Sequence, residues 1–178
     1  MKPYIALLRG INVGGHKKVP MADLRELLTK SGLENVKTYI QSGNVVFQSF
    51  EKSIQKLEQI IHEAIQSKFG FDVFILVRTR EDLQRIFDDS PFSEEKKKAS
   101  YFTMLHDIPE VELVKEVSEK IYEEEEYEII NDCIYFYSEK GYGRAKFNMS
   151  FFERKLKTSA TSRNYNTMVK LLSLSTDL

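Results

Sequence analysis

The sequence holds one cysteine, Cys133, which excludes an internal disulfide framework and a cysteine-rich zinc site. It holds three histidines, His16, His62 and His106, and none is spaced to share a metal ion with another. No apolar run approaches the length of a membrane span, and the run near the N-terminus is too short for the apolar core of a signal peptide. A cytoplasmic protein without membrane attachment is the expectation. The formal net charge is only -1, so the chain as a whole is drawn neither to nucleic acid nor to a membrane. Apolar and charged residues are both plentiful. At 42% hydrophobic and 30% charged over 178 residues, the chain reads as an ordinary globular protein of one large domain or two small ones.

The charge is unevenly spread. Residues 81–132 carry 17 Asp and Glu against 6 Lys and Arg, whereas residues 140–170 carry 8 Lys and Arg against the single Glu153. An acidic middle before a basic end suits self-complementary packing, or leaves a basic surface for an anion.

Hydrophobic periodicity orders the first half as β-α-β-β-α-β. Residues 2–8 read as a buried strand. Pro20 suits a first helical position, and Met21, Leu24, Leu27 and Leu28 keep helical spacing up to Gly32. Residues 36–40 and 45–48 read as strands around the turn Gln41-Ser-Gly-Asn44. A second amphipathic helix follows from Ile54 to near Gly70, then a strand at 72–77. Thr79 and Asp82 mark the start of a short helix over 80–88. Residues 89–99, with Pro91 and the charge run Glu94-Glu-Lys-Lys-Lys98, read as an exposed connector. The order then starts again: strand 100–106, helix 109–120, strands 127–130 and 133–137 around Asn131-Asp132, helix 146–157, an extended piece at 158–161, and a last helix. The expected fold is α+β: two tandem ferredoxin-like halves, residues 1–90 and 99–178, with an extra C-terminal helix.

The most unusual stretch is Arg9-Gly-Ile-Asn-Val-Gly-Gly-His-Lys-Lys-Val-Pro20. Gly10 and Gly15 are separated as in a phosphate-binding P-loop, yet the Lys–hydroxyl pair that completes such a loop is missing. A looser anion role survives that failure. Gly14 and Gly15 permit converging backbone N–H groups, with Arg9 or Lys17 supplying charge. The alternative is a glycine-rich connection with solvated lysines. Near the C-terminus, Arg144 and Lys146 precede Thr161-Ser-Arg-Asn-Tyr-Asn-Thr167. Thr161 or Ser162 can cap the last helix, Arg163 offers a two-pronged donor, and Asn164 and Thr167 share a helical face. The plainer reading pairs Arg163 with an acidic residue of 123–128 and makes Asn164 part of the cap. Gln41 and Asn44 belong to a turn that can line a site or be turn chemistry alone. His16 is the one histidine worth testing as a general acid or base. No catalytic set is visible, no cofactor is indicated, and the run Glu123–Glu126 reads as a solvated face.

The segments Arg9-Gly-Ile-Asn-Val-Gly-Gly, Tyr39-Ile-Gln-Ser-Gly-Asn44 and Thr161-Ser-Arg-Asn-Tyr-Asn-Thr167 together resemble a bacterial family of proteins of unknown function, DUF1697. The resemblance implies two related α+β halves and no established reaction. It marks Arg9, Asn12, Gln41, Asn44, Arg144, Lys146, Arg163, Asn164 and Thr167, and it places Tyr165 where many relatives carry tryptophan.

The leading functional expectation is a small phosphate- or nucleotide-containing ligand held in a cleft between the halves. Arg9, Asn12, Gly14, Gly15, Lys17, Gln41, Asn44, Arg144, Lys146, Arg163, Asn164 and Thr167 would hold it. The rival expectations are an RNA-binding module that uses the basic 140–170 region, and a scaffold for a protein partner.

Overall fold

Lys2–Leu8 forms strand β1, and its residues Tyr4 to Leu8 are buried on both faces. That explains a continuous apolar run where a half-exposed strand would alternate. In the computed structural model, which describes residues 1–177, β1 is the second-from-edge strand of a four-stranded antiparallel sheet. Its partners are β2 (Glu34–Tyr39), β3 (Asn44–Ser49) and β4 (Ile75–Thr79), in the order β2-β3-β1-β4. Helices α1 (Met21–Lys30) and α2 (Ile54–Phe69) cover one face. Leu24 and Leu28 of α1, and Leu57, Ile61 and Ile65 of α2, repeat every four residues and meet Tyr4, Ala6, Leu8, Val45 and Phe47 in the core. Pro20 sits one position earlier than its helix-starting chemistry suggests. It is the residue before α1, and its carbonyl accepts the Leu24 N–H.

The second sheet repeats the first. Strands β5 (Tyr101–Leu105), β6 (Glu125–Ile130), β7 (Cys133–Ser138) and β8 (Ala160–Asn164) are antiparallel in the order β6-β7-β5-β8. Helices α5 (Val111–Ser118) and α6 (Met149–Leu156) supply Val117, Phe152 and Leu156 to its core. Its filling is richer in aromatic rings than that of the first. Phe147 stacks on Phe136 with ring centres 4.4 Å apart and on Phe152 at 4.8 Å, and Tyr127 meets Phe152 edge-on at 5.1 Å.

Each half ends in a helix after its fourth strand: α3 (Arg80–Asp88) after β4, and α7 (Tyr165–Thr176) after β8. The chain divides into two compact units that share these helices out. One contains Met1–Gln84 and the chain from Val169 onward; the other contains Arg85–Met168. Within the first unit, Arg80 donates from Nε and Nη2 to the Thr176 hydroxyl, at 3.2 and 3.0 Å. Within the second, the Tyr135 hydroxyl donates to the Ile86 carbonyl at 2.7 Å, and Phe87 stacks on Phe102. Burial pushes the Tyr135 phenol strongly upward, so it remains a donor at any ordinary pH.

Three local expectations give way to pairing and packing. The run Glu94–Lys98 is a helix, α4, capped by the Ser93 hydroxyl. Its Lys97 is buried with Nζ 4.1 Å from the Phe87 ring centre, a cation–π contact that a composition-based reading of a charge run misses. Strand β6 begins at Glu125, because the carboxylate-bearing residues still pair with β7. Strand β8 runs on to Asn164, drawn out by pairing with β5 from Leu105 opposite Ala160 to Tyr101 opposite Asn164. Thr161 and Ser162 therefore lie in the sheet, and the cap of α7 is Asn164. No helix among the described residues is long and apolar enough to cross a membrane.

Candidate functional site

Residues 9–20 join β1 to α1, and residues 40–43 join β2 to β3, at the same end of the first sheet. Between residues 9 and 20 the chain makes a hairpin of its own. Val13 and His16 form a bridge, with the His16 N–H on the Val13 carbonyl at 2.9 Å, and the Asn12 N–H reaches the Lys17 carbonyl at 3.1 Å. The two central residues, Gly14 and Gly15, have φ of 57° and 78°. Left-handed backbone at both positions is the demand of a type I′ turn, which is why two glycines stand together here.

Asn12 fixes this hairpin to the body of the unit. Its side-chain oxygen accepts the Val19 N–H at 2.8 Å, and its Nδ2 donates to the Val19 carbonyl at 3.0 Å and the Gln41 carbonyl at 2.8 Å. Asn44 does the same for the neighbouring turn. Fully buried, it donates to the Tyr39 carbonyl at 3.2 Å and the Ser42 hydroxyl at 2.9 Å. Gly43 permits the close approach of the turn to β1: a Cβ there would lie 2.6 Å from Leu8 Cβ, and the Leu8 N–H bonds the Gly43 carbonyl at 2.8 Å. Asn12 and Asn44 therefore hold backbone in place, while the tip residues Gly14, Gly15, His16, Lys17 and Lys18 are exposed. Lys17 anchors the far side of the hairpin through Nζ to the Asp72 carbonyl at 2.5 Å, and the Arg9 N–H bonds the Phe74 carbonyl.

Backbone strain gathers in these two loops. Asn12, Lys17 and Ile40 have φ of 54°, 46° and 47°, three of the seven non-glycine residues of positive φ among the described residues. Asparagine tolerates that region; an isoleucine there is an outlier that costs about 1–3 kcal/mol.

The second unit gathers a different set. Arg163 lies in β8 opposite Phe102, and its Nη1 donates to the Thr161 hydroxyl at 3.0 Å and the Ser162 carbonyl at 2.8 Å. Burial of its charged end pulls the guanidinium pKa down to about 10, although part of the side chain keeps some exposed surface. Asn164 caps α7 by accepting the Thr167 N–H at 2.9 Å, and Thr167 is buried. Arg144 belongs to a single 3-10 turn, Tyr142–Arg144, and Arg144 and Lys146 are exposed. The Lys146 N–H is bonded by the Glu125 carboxylate. The turn lies at the β8–α7 end of its sheet, since Tyr101, which pairs with both Phe136 and Asn164, also has the Tyr142 ring at 4.8 Å.

Repeat equivalence exposes a residue that sequence reading missed. Arg78 pairs opposite Ile5 as Arg163 pairs opposite Phe102, and its Nη1 likewise donates to the preceding carbonyl, Val77, at 3.0 Å. The next residue caps the following helix in both halves. Thr79 accepts the Asp82 N–H at 3.1 Å, as Asn164 accepts that of Thr167. The signal was an arginine followed by a capping residue at the end of each fourth strand.

The acidic middle packs on the basic end. Lys155 pairs with Glu116 at 2.8 Å and Lys140 with Glu124, while Lys96 pairs with Glu126 inside the acidic middle at 2.5 Å. The salt-bridge hydrogen bonds hold the Glu116 and Glu124 carboxyls below their usual pKa. Of the aromatics of residues 135–152, Tyr135, Phe136 and Phe152 are fully buried, and Tyr137, Tyr142 and Phe151 are half-buried. His62 meets the Asp72 carboxylate at 2.8 Å and His106 that of Asp107 at 3.0 Å, and Cys133 is buried. Among the described residues no group of three His, Cys, Asp or Glu side chains converges as a metal ion requires. A shallow groove of about 600 Å³ along β6, lined by Ile121, Tyr122, Glu126, Tyr127 and Ile129, contains none of the candidate residues.

A conserved bacterial protein of Streptococcus pneumoniae, SP0830, has a solved structure similar to this one. The TM-score is 0.76, at 26% sequence identity over 98% of each chain. Among curated proteins none matches the sequence. The family model of proteins of unknown function DUF1697 matches residues 1–135, a span that holds both clamped loops, and the chain belongs to that family.

Proposed function

We propose that the protein binds a small phosphate-bearing ligand at the glycine hairpin of residues 9–18. One observation carries the reading. The β1–α1 connection spends twelve residues on a clamped, exposed, basic hairpin, where the equivalent β5–α5 connection needs only residues 106–110. The fold closes without the extra length, and loops built beyond what a fold needs are where binding groups concentrate. Gly14 and Gly15 leave room for ligand oxygens to approach the backbone, while Arg9, Lys17 and Lys18 supply positive charge. Asn12, Gln41 and Asn44 act as positioning residues. Arg144, Lys146, Arg163, Asn164 and Thr167 form a second basic set, to be tested by the same ligands.

RNA binding has less support. A ferredoxin-like sheet that reads RNA offers stacking aromatics on an open face, whereas here Tyr135 and Phe136 are fully buried and Tyr137 is half-buried. The lysines of the basic end are in part neutralised, Lys155 by Glu116 and Lys140 by Glu124.

The test is thermal unfolding with inorganic phosphate, phosphosugars, nucleotides and short RNA, each at low and high salt. A specific small ligand at 100 times its Kd should stabilise by about 2.7 kcal/mol, and Lys17→Ala/Lys18→Ala should abolish the shift. RNA binding instead would show as an affinity that falls steeply with salt. No shift with any small anion would end the proposal.

A further inference from the structure

We infer that the ligand of the glycine hairpin is a nucleoside phosphate, whose base lies against Ile40 and Val13; this rests on the anion-binding reading above. Ile40 is costly on two counts. It is 52% exposed and sits at φ 47°, so an apolar, β-branched side chain is held in water on a backbone that favours glycine or asparagine. The neighbouring turn residues show that the usual chemistry was within reach, since the same loop uses Gly43 at its other left-handed position.

Val13, the residue next to Asn12, is likewise exposed, at 64%. The two side chains belong to loops joined by the Asn12 Nδ2 bond to the Gln41 carbonyl, one residue from each. Two exposed branched side chains thus flank a hairpin that carries glycine N–H groups and lysines. An inorganic ion would use only the polar half of that arrangement. A ligand with charged oxygens at one end and a flat apolar face at the other would use both, because apolar contact area and a few placed polar groups are what small-molecule sites combine. The equivalent turn in the second half, Asn131-Asp132, has asparagine at its left-handed position, and the exposed Ile108 of the β5–α5 connection has no glycine hairpin beside it.

The probes are inorganic phosphate, ribose 5-phosphate and the four ribonucleoside 5′-monophosphates, titrated into the full chain by calorimetry. The wild-type protein should bind at least one nucleoside monophosphate about tenfold more tightly than ribose 5-phosphate, a difference of about 1.4 kcal/mol. Ile40→Asn should erase that preference while leaving inorganic phosphate binding unchanged and the Tm equal or higher, because the backbone is relieved. Val13→Asn, at an exposed tip, should weaken the preference without loss of fold. Equal affinity for ribose 5-phosphate and every nucleotide would overturn the base-contact assignment and leave the anion site standing. So would a preference that survives Ile40→Asn. Absence of binding to all the probes would remove both.

Discussion

The two halves of this chain share strand order, helix placement and even the way an arginine precedes each helix cap, yet they differ in two respects. Their cores are filled differently: Leu, Ile and Val predominate in the first, while the second builds on a stack of Phe136, Phe147 and Phe152 with half-buried tyrosines around it. Their loops at one end of the sheet differ in length. Residues 9–20 and 40–43 of the first half stand where residues 106–110 and 131–132 serve in the second. The shared features are what the architecture requires. The features of one half alone are free to carry function, and the clamped hairpin is the largest of them.

Mutations can break this comparison at each level. The largest expected effect is in the aromatic core, where Phe152→Ala removes a ring that meets Phe147, Tyr127 and Phe151. It should destabilise by about 3–5 kcal/mol in chemical denaturation, against about 2–4 kcal/mol for Ile61→Ala in the aliphatic core. Next comes Gly43→Ala. A methyl group 2.6 Å from Leu8 Cβ, on a backbone at φ 83°, should cost about 2–4 kcal/mol, most of it overpacking. Smallest are the caps. Thr79→Ala and Asn164→Ala should each cost about 1 kcal/mol and roughly equally, because the bond is the same in the two repeats. A cap effect of several kcal/mol in one half alone would show that the repeats are not energetically equivalent there.

Much of the architecture was legible in the sequence. Strand β1, α3 and the hairpin at Asn131-Asp132 were fixed by apolar periodicity, a Thr–Asp capping pair and two-residue turn chemistry. The repeat was visible as order but not as sequence, because aliphatic and aromatic side chains fill the same layer. The misses in β6, β8 and α4 have one cause, interactions with distant partners. Glu125 is held in β6 by β7, Ser162 and Arg163 are drawn into β8 by β5, and α4 has Lys97 over Phe87. At the candidate site the residue types were legible and their duties were not. Asn12 and Asn44 read as ligand contacts, yet their donors go to carbonyls 7, 29 and 5 residues away. Arg78 went unnoticed because nothing in its own neighbourhood sets it apart until it is laid beside Arg163.

Backbone amide chemical shifts followed during titration with inorganic phosphate test the central contrast between the halves. Binding at the glycine hairpin predicts saturable shifts at Gly14, Gly15, Lys17 and the residues of 40–43, with the equivalent residues 106–110 and 131–132 unmoved. Shifts at the second half's loops and none at the glycine hairpin would contradict it.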